Sequence, residues 1–348
     1  MLEELTELLK TPGVSGFESP IREIIRKKVD SLAKTRVDQI GNLYATIGDG
    51  DRHLLLVAHM DELGMVVSKI EENGFLRFRK IGGIDDRSLL GRTVTIYTAK
   101  GEMKGIIGML PPHLMKDPTT EMKEIPSVEE MIIDIGCTSR REAEEIGISI
   151  MDPIVFEKNI TRLGARIVSA RGLDNRSGCL ALIDLLRRVH KKRINLRVTF
   201  VWSVQEEIGL RGVRVAALKE MPDYVIAVDT CSATDFPGTP EYLDKISLGR
   251  GPVVRYIDNK SIASPAFVNL IKSIAASNGL LLQLGISGGS TDGAAAQEFG
   301  SMMVPLCIPV RYTHSTVECI HLDDLENLVL LLEKTIDDLG KKKKGVIS

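Results

Sequence analysis

Apolar runs that stop at an acid or a histidine recur along this 348-residue chain. His53-Leu54-Leu55-Leu56-Val57-Ala58 runs into His59-Met60-Asp61-Glu62, and Arg197-Val198-Thr199-Phe200-Val201-Trp202 into Ser203-Val204-Gln205-Glu206-Glu207. Tyr224-Val225-Ile226-Ala227-Val228 stops at Asp229. Runs of this length bounded by polar residues predict buried strands of an α/β sheet. Between them lie helical spacings. Leu2, Leu5, Leu8 and Leu9 line one side of an opening helix, which Thr11-Pro12-Gly13 breaks. Ser19-Pro20 reads as an N-cap followed by proline at the first helical position, leading into Ile21, Ile24, Ile25 and Leu32. Leu182, Leu185, Leu186 and Val189 repeat at helical spacing after Asp174-Asn175, and Leu322, Leu325, Val329, Leu332 and Ile336 mark a closing helix.

The texture changes between about Leu63 and Gly164. Met65-Val66-Val67, Phe75-Leu76-Arg77-Phe78, Thr93-Val94-Thr95-Ile96-Tyr97 and Ile106-Ile107-Gly108-Met109 are closely spaced β-like runs, separated by glycine turns and a Pro111-Pro112-His113 loop. They predict a small β-barrel or sandwich inserted into the α/β domain, whose pattern resumes near Ile167. The division expected is a catalytic domain split over residues 1–63 and 165–348, with residues 64–164 as the insertion.

Composition narrows the partners. With 45 basic and 47 acidic residues the formal charge is −2, which points to neither nucleic acid nor a membrane surface. Lys341-Lys342-Lys343-Lys344 reads as a solvated tail. No apolar run reaches the length of about 18 residues needed to span a bilayer, so a cytoplasmic location is expected. Five scattered cysteines without a C-x-x-C pair read as reduced, buried small hydrophobes. Scarce glutamine and 26% charged residues lean towards a thermophile composition, an inference that twelve methionines weaken.

Ligands in α/β sheets bind at the carboxyl ends of the strands, so the acids and histidines that end the runs converge. In His59-x-Asp61, alternate residues share a face, and Asp61 can fix the tautomer of a metal-binding His59; a polar loop is the competing reading. Asp174 precedes a helix, where an N-cap would suffice to explain it. Glu206 and Glu207 would repel unless a cation or a proton separated their roles. In an extended segment their side chains diverge, so that one can hold a metal and the other address a water. Asp229 ends an apolar strand, where an unpaired carboxylate is costly. His314, after the apolar stretch from Val304 to Val310, is either structural or a ligand. Two histidines and three carboxylates with one carboxylate to spare are too many charges for one zinc and a fair count for two ions bridged by a carboxylate. Imidazole and oxygen ligands suit Zn²⁺, Co²⁺ or Mn²⁺.

Ala58-His59-Met60-Asp61-Glu62, Gly172-Leu173-Asp174-Asn175-Arg176, Gln205-Glu206-Glu207-Ile208-Gly209, Val228-Asp229 and Thr313-His314-Ser315 occur in an order that resembles the M42 family of metallo-aminopeptidases. These are the tetrahedral (TET) or deblocking aminopeptidases of the co-catalytic zinc peptidase clan. The resemblance covers essentially the whole chain. It implies a mixed-sheet α/β zinc-peptidase domain with helices on both faces, two divalent ions per subunit (Zn²⁺ or Co²⁺) and short peptide substrates. By the same resemblance Asp174 bridges the ions, His59 and Asp229 complete one, and Glu207 and His314 complete the other. Glu206 would be the general base and Asp61 the residue that orients His59. The insertion would be the dimerisation domain, with dimers assembling into a hollow dodecamer. Gly288-Gly289-Ser290-Thr291-Asp292 either lines the site or caps the helix before Ala294. Two other chemistries stay open. Gly285-Ile286-Ser287-Gly288-Gly289 matches the G-x-S-x-G elbow of serine hydrolases, with Ser287 as nucleophile. Paired carboxylates also serve glycosidases.

Overall fold

The computed structural model describes residues 1–341, so Lys342–Lys344 of the lysine run lie outside it. Eight strands form the main sheet: β1 (Lys34–Val37), β2 (Leu43–Ile47), β3 (His53–His59), β12 (Arg197–Ser203), β13 (Tyr224–Ser232), β14 (Val253–Ile257), β15 (Gln283–Ile286) and β16 (Met302–Val310). Their order is β1-β2-β12-β3-β13-β16-β14-β15. The central neighbours β12, β3, β13 and β16 are parallel, while β1, β2 and the β14–β16 pair are antiparallel. This is a mixed sheet.

Helices cover both faces, and β3 shows why its pattern is a continuous apolar run. Leu54, Leu56 and Ala58 pack into one core with α1 (Leu2–Lys10), α2 (Ser19–Val29), α5 (Leu173–Val189), α7 (Pro265–Ser277) and α9 (Leu322–Lys341). Leu55 and Val57 point the other way, into a second core with α6 (Arg211–Glu220) and α8 (Asp292–Gln297). Successive residues of a strand face opposite sides, so a strand covered twice needs apolar residues at both phases. Among the described residues no helix is long and apolar enough to cross a membrane. All five cysteines are buried and unpaired.

The insertion is a closed barrel of β4 (Gly64–Ile70), β5 (Leu76–Ile81), β6 (Arg92–Thr98), β7 (Gly101–Ile107), β8 (Ile133–Asp134) and β9 (Pro153–Phe156), ordered β4-β5-β8-β7-β6-β9. Alternation is clean here: Leu76 and Phe78 enter the barrel core with Val94, Ile96 and Ile133, while Arg77 and Arg79 stay outside. Closure removes the edges that so small a sheet would otherwise expose. Two short helices, α3 (Pro118–Glu121) and α4 (Arg140–Glu145), decorate it.

Two sequence expectations need correction. The run at Ile167 does not rejoin the main sheet: β11 (Ile167–Ala170) pairs with β10 (Thr161–Leu163) and β17 (Glu318–His321) in a separate three-stranded sheet. A short apolar run reveals that it is a strand but not which strand it pairs with. Nor does Ser19 cap α2. The N-cap position is Glu18, whose carboxylate is turned to the backbone N–H groups of Gly16 and Gln205, and the Ser19 hydroxyl accepts from Arg22 instead.

Candidate metal centre

Parallel register delivers the first groups to one edge. Ser203 at the end of β12 pairs with His59 at the end of β3, and Asp229 lies two residues past the last paired position of β13 against β3. After β12 the backbone turns sharply, with Gln205 at φ +55°, and Glu206 and Glu207 follow outside the strand. Asp61 secures this turn. Its Oδ1 accepts the Glu206 N–H at 3.0 Å, and its Oδ2 accepts the Glu207 N–H at 3.1 Å and the Ser15 hydroxyl at 2.6 Å. The His59 Nδ1 is 3.3 Å from the Asp61 carbonyl oxygen and 3.5 Å from the Asp61 carboxylate. Asp61 therefore lies against His59 and also holds the backbone of the two glutamates.

Asp174 arrives from the other side, at the start of α5. Here Asn175 does the capping: its Oδ1 accepts the Gly178 N–H at 3.1 Å, and its amide donates to the Val228 carbonyl, one residue before Asp229. The Asp174 carboxylate is left free of that role. Its Oδ1 is 3.3 Å from His59 Nε2, and its Oδ2 is 3.5 Å from His314 Nε2 and accepts the Thr313 hydroxyl at 3.3 Å. One carboxylate thus presents each oxygen to a different imidazole. Asp229 Oδ1 lies 3.6 Å and Glu206 Oε2 3.9 Å from His59 Nε2, and Glu207 Oε2 lies 3.8 Å from His314 Nε2. All six side chains line a single cleft of about 440 Å³.

These residues form three overlapping triads with ligand atoms within 4.8 Å of one another: His59–Asp174–Asp229, Asp174–Glu207–His314 and His59–Glu206–Glu207. Asp174 Oδ1 and Glu207 Oε1 are buried without a hydrogen-bond partner, a state that costs free energy unless something else satisfies them. The titration behaviour carries the same message. Burial pushes the Glu207 carboxyl up to about 8, helped by the neighbouring Asp174 charge. Burial likewise holds Glu206 and Asp229 above the usual carboxylate range. Burial opposes protonation of His59, but the charge of Glu206 and contacts to Asp174, Asp229 and Asp61 raise it well above its ordinary value. Contact with Asp174 lifts His314 to about 10. With the protein's own groups alone, the cluster balances its negative charge by taking up protons; divalent cations would do so better. The donor set of imidazoles and carboxylates fits such ions.

Several residues here take roles that the sequence left open or did not assign. Glu318 is buried and bridges backbone groups of Asp174 and His314. Asp292 accepts the Ser203 hydroxyl at 2.5 Å, and burial raises it to about 7; Thr291 caps α8 by accepting the Gly293 N–H. Glu62 is surrounded by Lys158 at 2.8 Å, Arg171 at 2.7 Å and Arg176 at 3.6 Å, and also accepts the Gly13 N–H. Burial raises its pKa, but the three cations outweigh that and hold it at about 2. The signal available for Glu318 was an acid at the boundary of an apolar strand, the same signal that identified Asp229.

The rival sites fare differently. Ser287 lines the cleft, but its hydroxyl contacts the Cys231 thiol, while both imidazoles are taken up with carboxylates. β15 ends at Ile286 and α8 begins only at Asp292, so the strand-turn-helix geometry of a nucleophile elbow is not formed. Glu206 and Glu207 approach each other and His59 within 4.8 Å, closer than the roughly 5–9.5 Å that lets two acids flank a sugar ring.

The sequence pattern of the M42 glutamyl aminopeptidase family matches residues 41–331. The chain belongs to the M42 family of aminopeptidases, and is a peptidase of the hydrolase class. It is 36% identical to the putative aminopeptidase FrvX of Escherichia coli, over 100% of this chain and 98% of that protein. It is 32% identical to the lysyl aminopeptidase of Pyrococcus furiosus, over 97% of each. Among solved structures it resembles the TET1 peptidase of Pyrococcus horikoshii, which can assemble into a tetrahedron or a large octahedral shell. That likeness has a TM-score of 0.90 and 40% identity, over 96% of this chain and 98% of the other.

Proposed function

We propose that the protein removes N-terminal residues from short peptides with two divalent ions, Zn²⁺ or Co²⁺, per subunit. The observation that carries this is the Asp174 carboxylate, which turns one oxygen to His59 and the other to His314. His59 and Asp229 would complete the first ion's protein ligands, and Glu207 and His314 the second's. When bound, such ions would supply Lewis acidity for the scissile carbonyl and a more acidic attacking water. Glu206 takes the proton from that water and returns it to the leaving amine; burial, with the charges of Glu207 and Asp229, raises its basicity against the opposing charge of His59. Asp61 keeps Glu206 and Glu207 apart and aimed, through the two backbone N–H groups it accepts. A free substrate amine would be held by an ion or by an acidic group of the cleft. Arg255 and Lys260 on its wall favour an acidic first side chain.

The barrel serves as the dimerisation module of a homo-oligomer, with dimers building a dodecamer; residues 1–63 and 165–348 form the catalytic domain and 64–164 the module. Exposed Met109, Leu110, Leu114, Met122 and Ile125 on the barrel support an interface there.

The test is hydrolysis of glutamyl, leucyl and lysyl peptides, free and acetylated at the N-terminus, by chelated protein before and after adding Zn²⁺ or Co²⁺. We expect cleavage of free-amine peptides only, restored by metal and fastest for the glutamyl peptide. Activity that survives complete chelation would overturn the two-ion reading, and a fastest lysyl peptide would overturn the assignment of Arg255 and Lys260.

A further inference from the structure

Asp174 and His314 lie 140 residues apart in the chain, and neither sits in a strand of the main sheet. What brings them together is the small three-stranded sheet. β11 ends at Ala170, four residues before Asp174, and β17 begins at Glu318, four residues after His314. In the antiparallel register Ala170 pairs with Glu318, so the segments leading to the two side chains leave the same end of the same ladder.

Glu318 joins those two segments. Its Oε2 accepts the backbone N–H of Asp174 at 3.2 Å, and its Oε1 accepts the backbone N–H of His314 at 2.9 Å. The side chain is buried, at 2% exposure. The His314 segment needs such a restraint: Tyr312 and His314 both have left-handed backbone, at φ +58° and +60°, a region that side chains other than glycine rarely occupy without support. A carboxylate suits this task because each of its two oxygens can accept one of the two N–H groups.

We propose that Glu318 is a positioning residue that sets the distance between the Asp174 and His314 side chains, and thereby the affinity for the ion placed on Asp174, Glu207 and His314. This rests on the two-ion reading above. Glu318→Gln keeps one acceptor oxygen but turns an amide N–H₂ towards the other backbone N–H, so one of the two segments is released.

The experiment titrates Zn²⁺ into the full-length parent and the Glu318→Gln protein against a competing chelator and reads bound metal per subunit. Thermal unfolding of both fully chelated proteins is measured alongside. The expected result is two ions in the parent and a loss of about 10–100-fold in affinity for one of them in the variant, the usual effect of removing a group that orients ligands. The chelated variant should unfold close to the chelated parent, since the change removes a single hydrogen bond. Parent-like affinity for both ions in Glu318→Gln would overturn the inference. So would equal weakening of both ions together with earlier unfolding of the chelated variant, the signature of a general structural role. A parent that binds no metal would fail differently, by removing the two-ion reading itself.

Discussion

Glu206 and Glu207 are neighbours in the chain but make their ion-pair approaches to different imidazoles, which supports the proposed division of their roles. Glu207 lies by His314 and Asp174, whereas Glu206 lies by His59 and belongs to neither triad built on Asp174. Replacing Glu206 with glutamine should therefore lower kcat by about 10²–10⁴-fold, the usual contribution of a general acid–base. Bound metal per subunit, measured by elemental analysis, should stay unchanged. Loss of metal in Glu206→Gln would make it a ligand instead. The pair stood out in the sequence because two adjacent carboxylates after a buried strand would repel unless a cation or a proton separated their roles. Which of the two does which task was not, because it depends on the turn at Gln205 and on the hold Asp61 has on both N–H groups.

At the scale of elements, the start of α5 shows how a competing role was resolved. An aspartate just before a helix is most simply an N-cap, yet Asn175 accepts the Gly178 N–H and leaves Asp174 to the cleft. Gly178 makes this possible: a Cβ there would stand 2.1 Å from the Asn175 Oδ1. Gly178→Ala should destabilise the protein by about 1–3 kcal/mol through overpacking, seen as a lower denaturant midpoint in urea, and should weaken metal binding because Asp174 moves with Asn175. An unchanged midpoint would mean that α5 can re-cap itself without disturbing the site. The glycine could be read from the chain, but its neighbour in space could not.

At the scale of the molecule, the cleft and its surroundings hold more protons than the unfolded chain at mildly acidic pH. Burial, with the Asp61 charge nearby, raises Glu18 to about 7, and burial raises Asp324 to about 6; Glu206, Glu207 and Asp229 shift the same way. An unfolded carboxyl releases its proton near pH 4. Between about pH 4.5 and 7 the native state therefore binds more protons than the unfolded one, and stability falls as pH rises. Thermal unfolding of the chelated protein across that window should show a decreasing midpoint. Adding Zn²⁺ should reverse the trend, because metal binding competes with protons for the same ligands. A midpoint in chelator that rises with pH would show that these carboxylates ionise freely in the native state.

The sequence by itself determined the local choices. Runs buried on both faces became the central strands, alternating runs became the barrel, and the leucine spacings became α1, α5 and α9. It also placed His59 at the end of its strand, whereas Asp229, expected to end its strand, lies inside β13, which continues to Ser232 and keeps Asp229 buried. Tertiary structure decided what periodicity cannot encode, namely which strands pair and which distant groups meet. β11 could have joined the main sheet, and it joins β17 instead. That pairing brings His314 to Asp174 and puts Glu318 between them, through one hydrogen bond across 144 residues of chain and one across four. Contacts made across such separations depend on the closed fold and leave no local trace in the residues that make them.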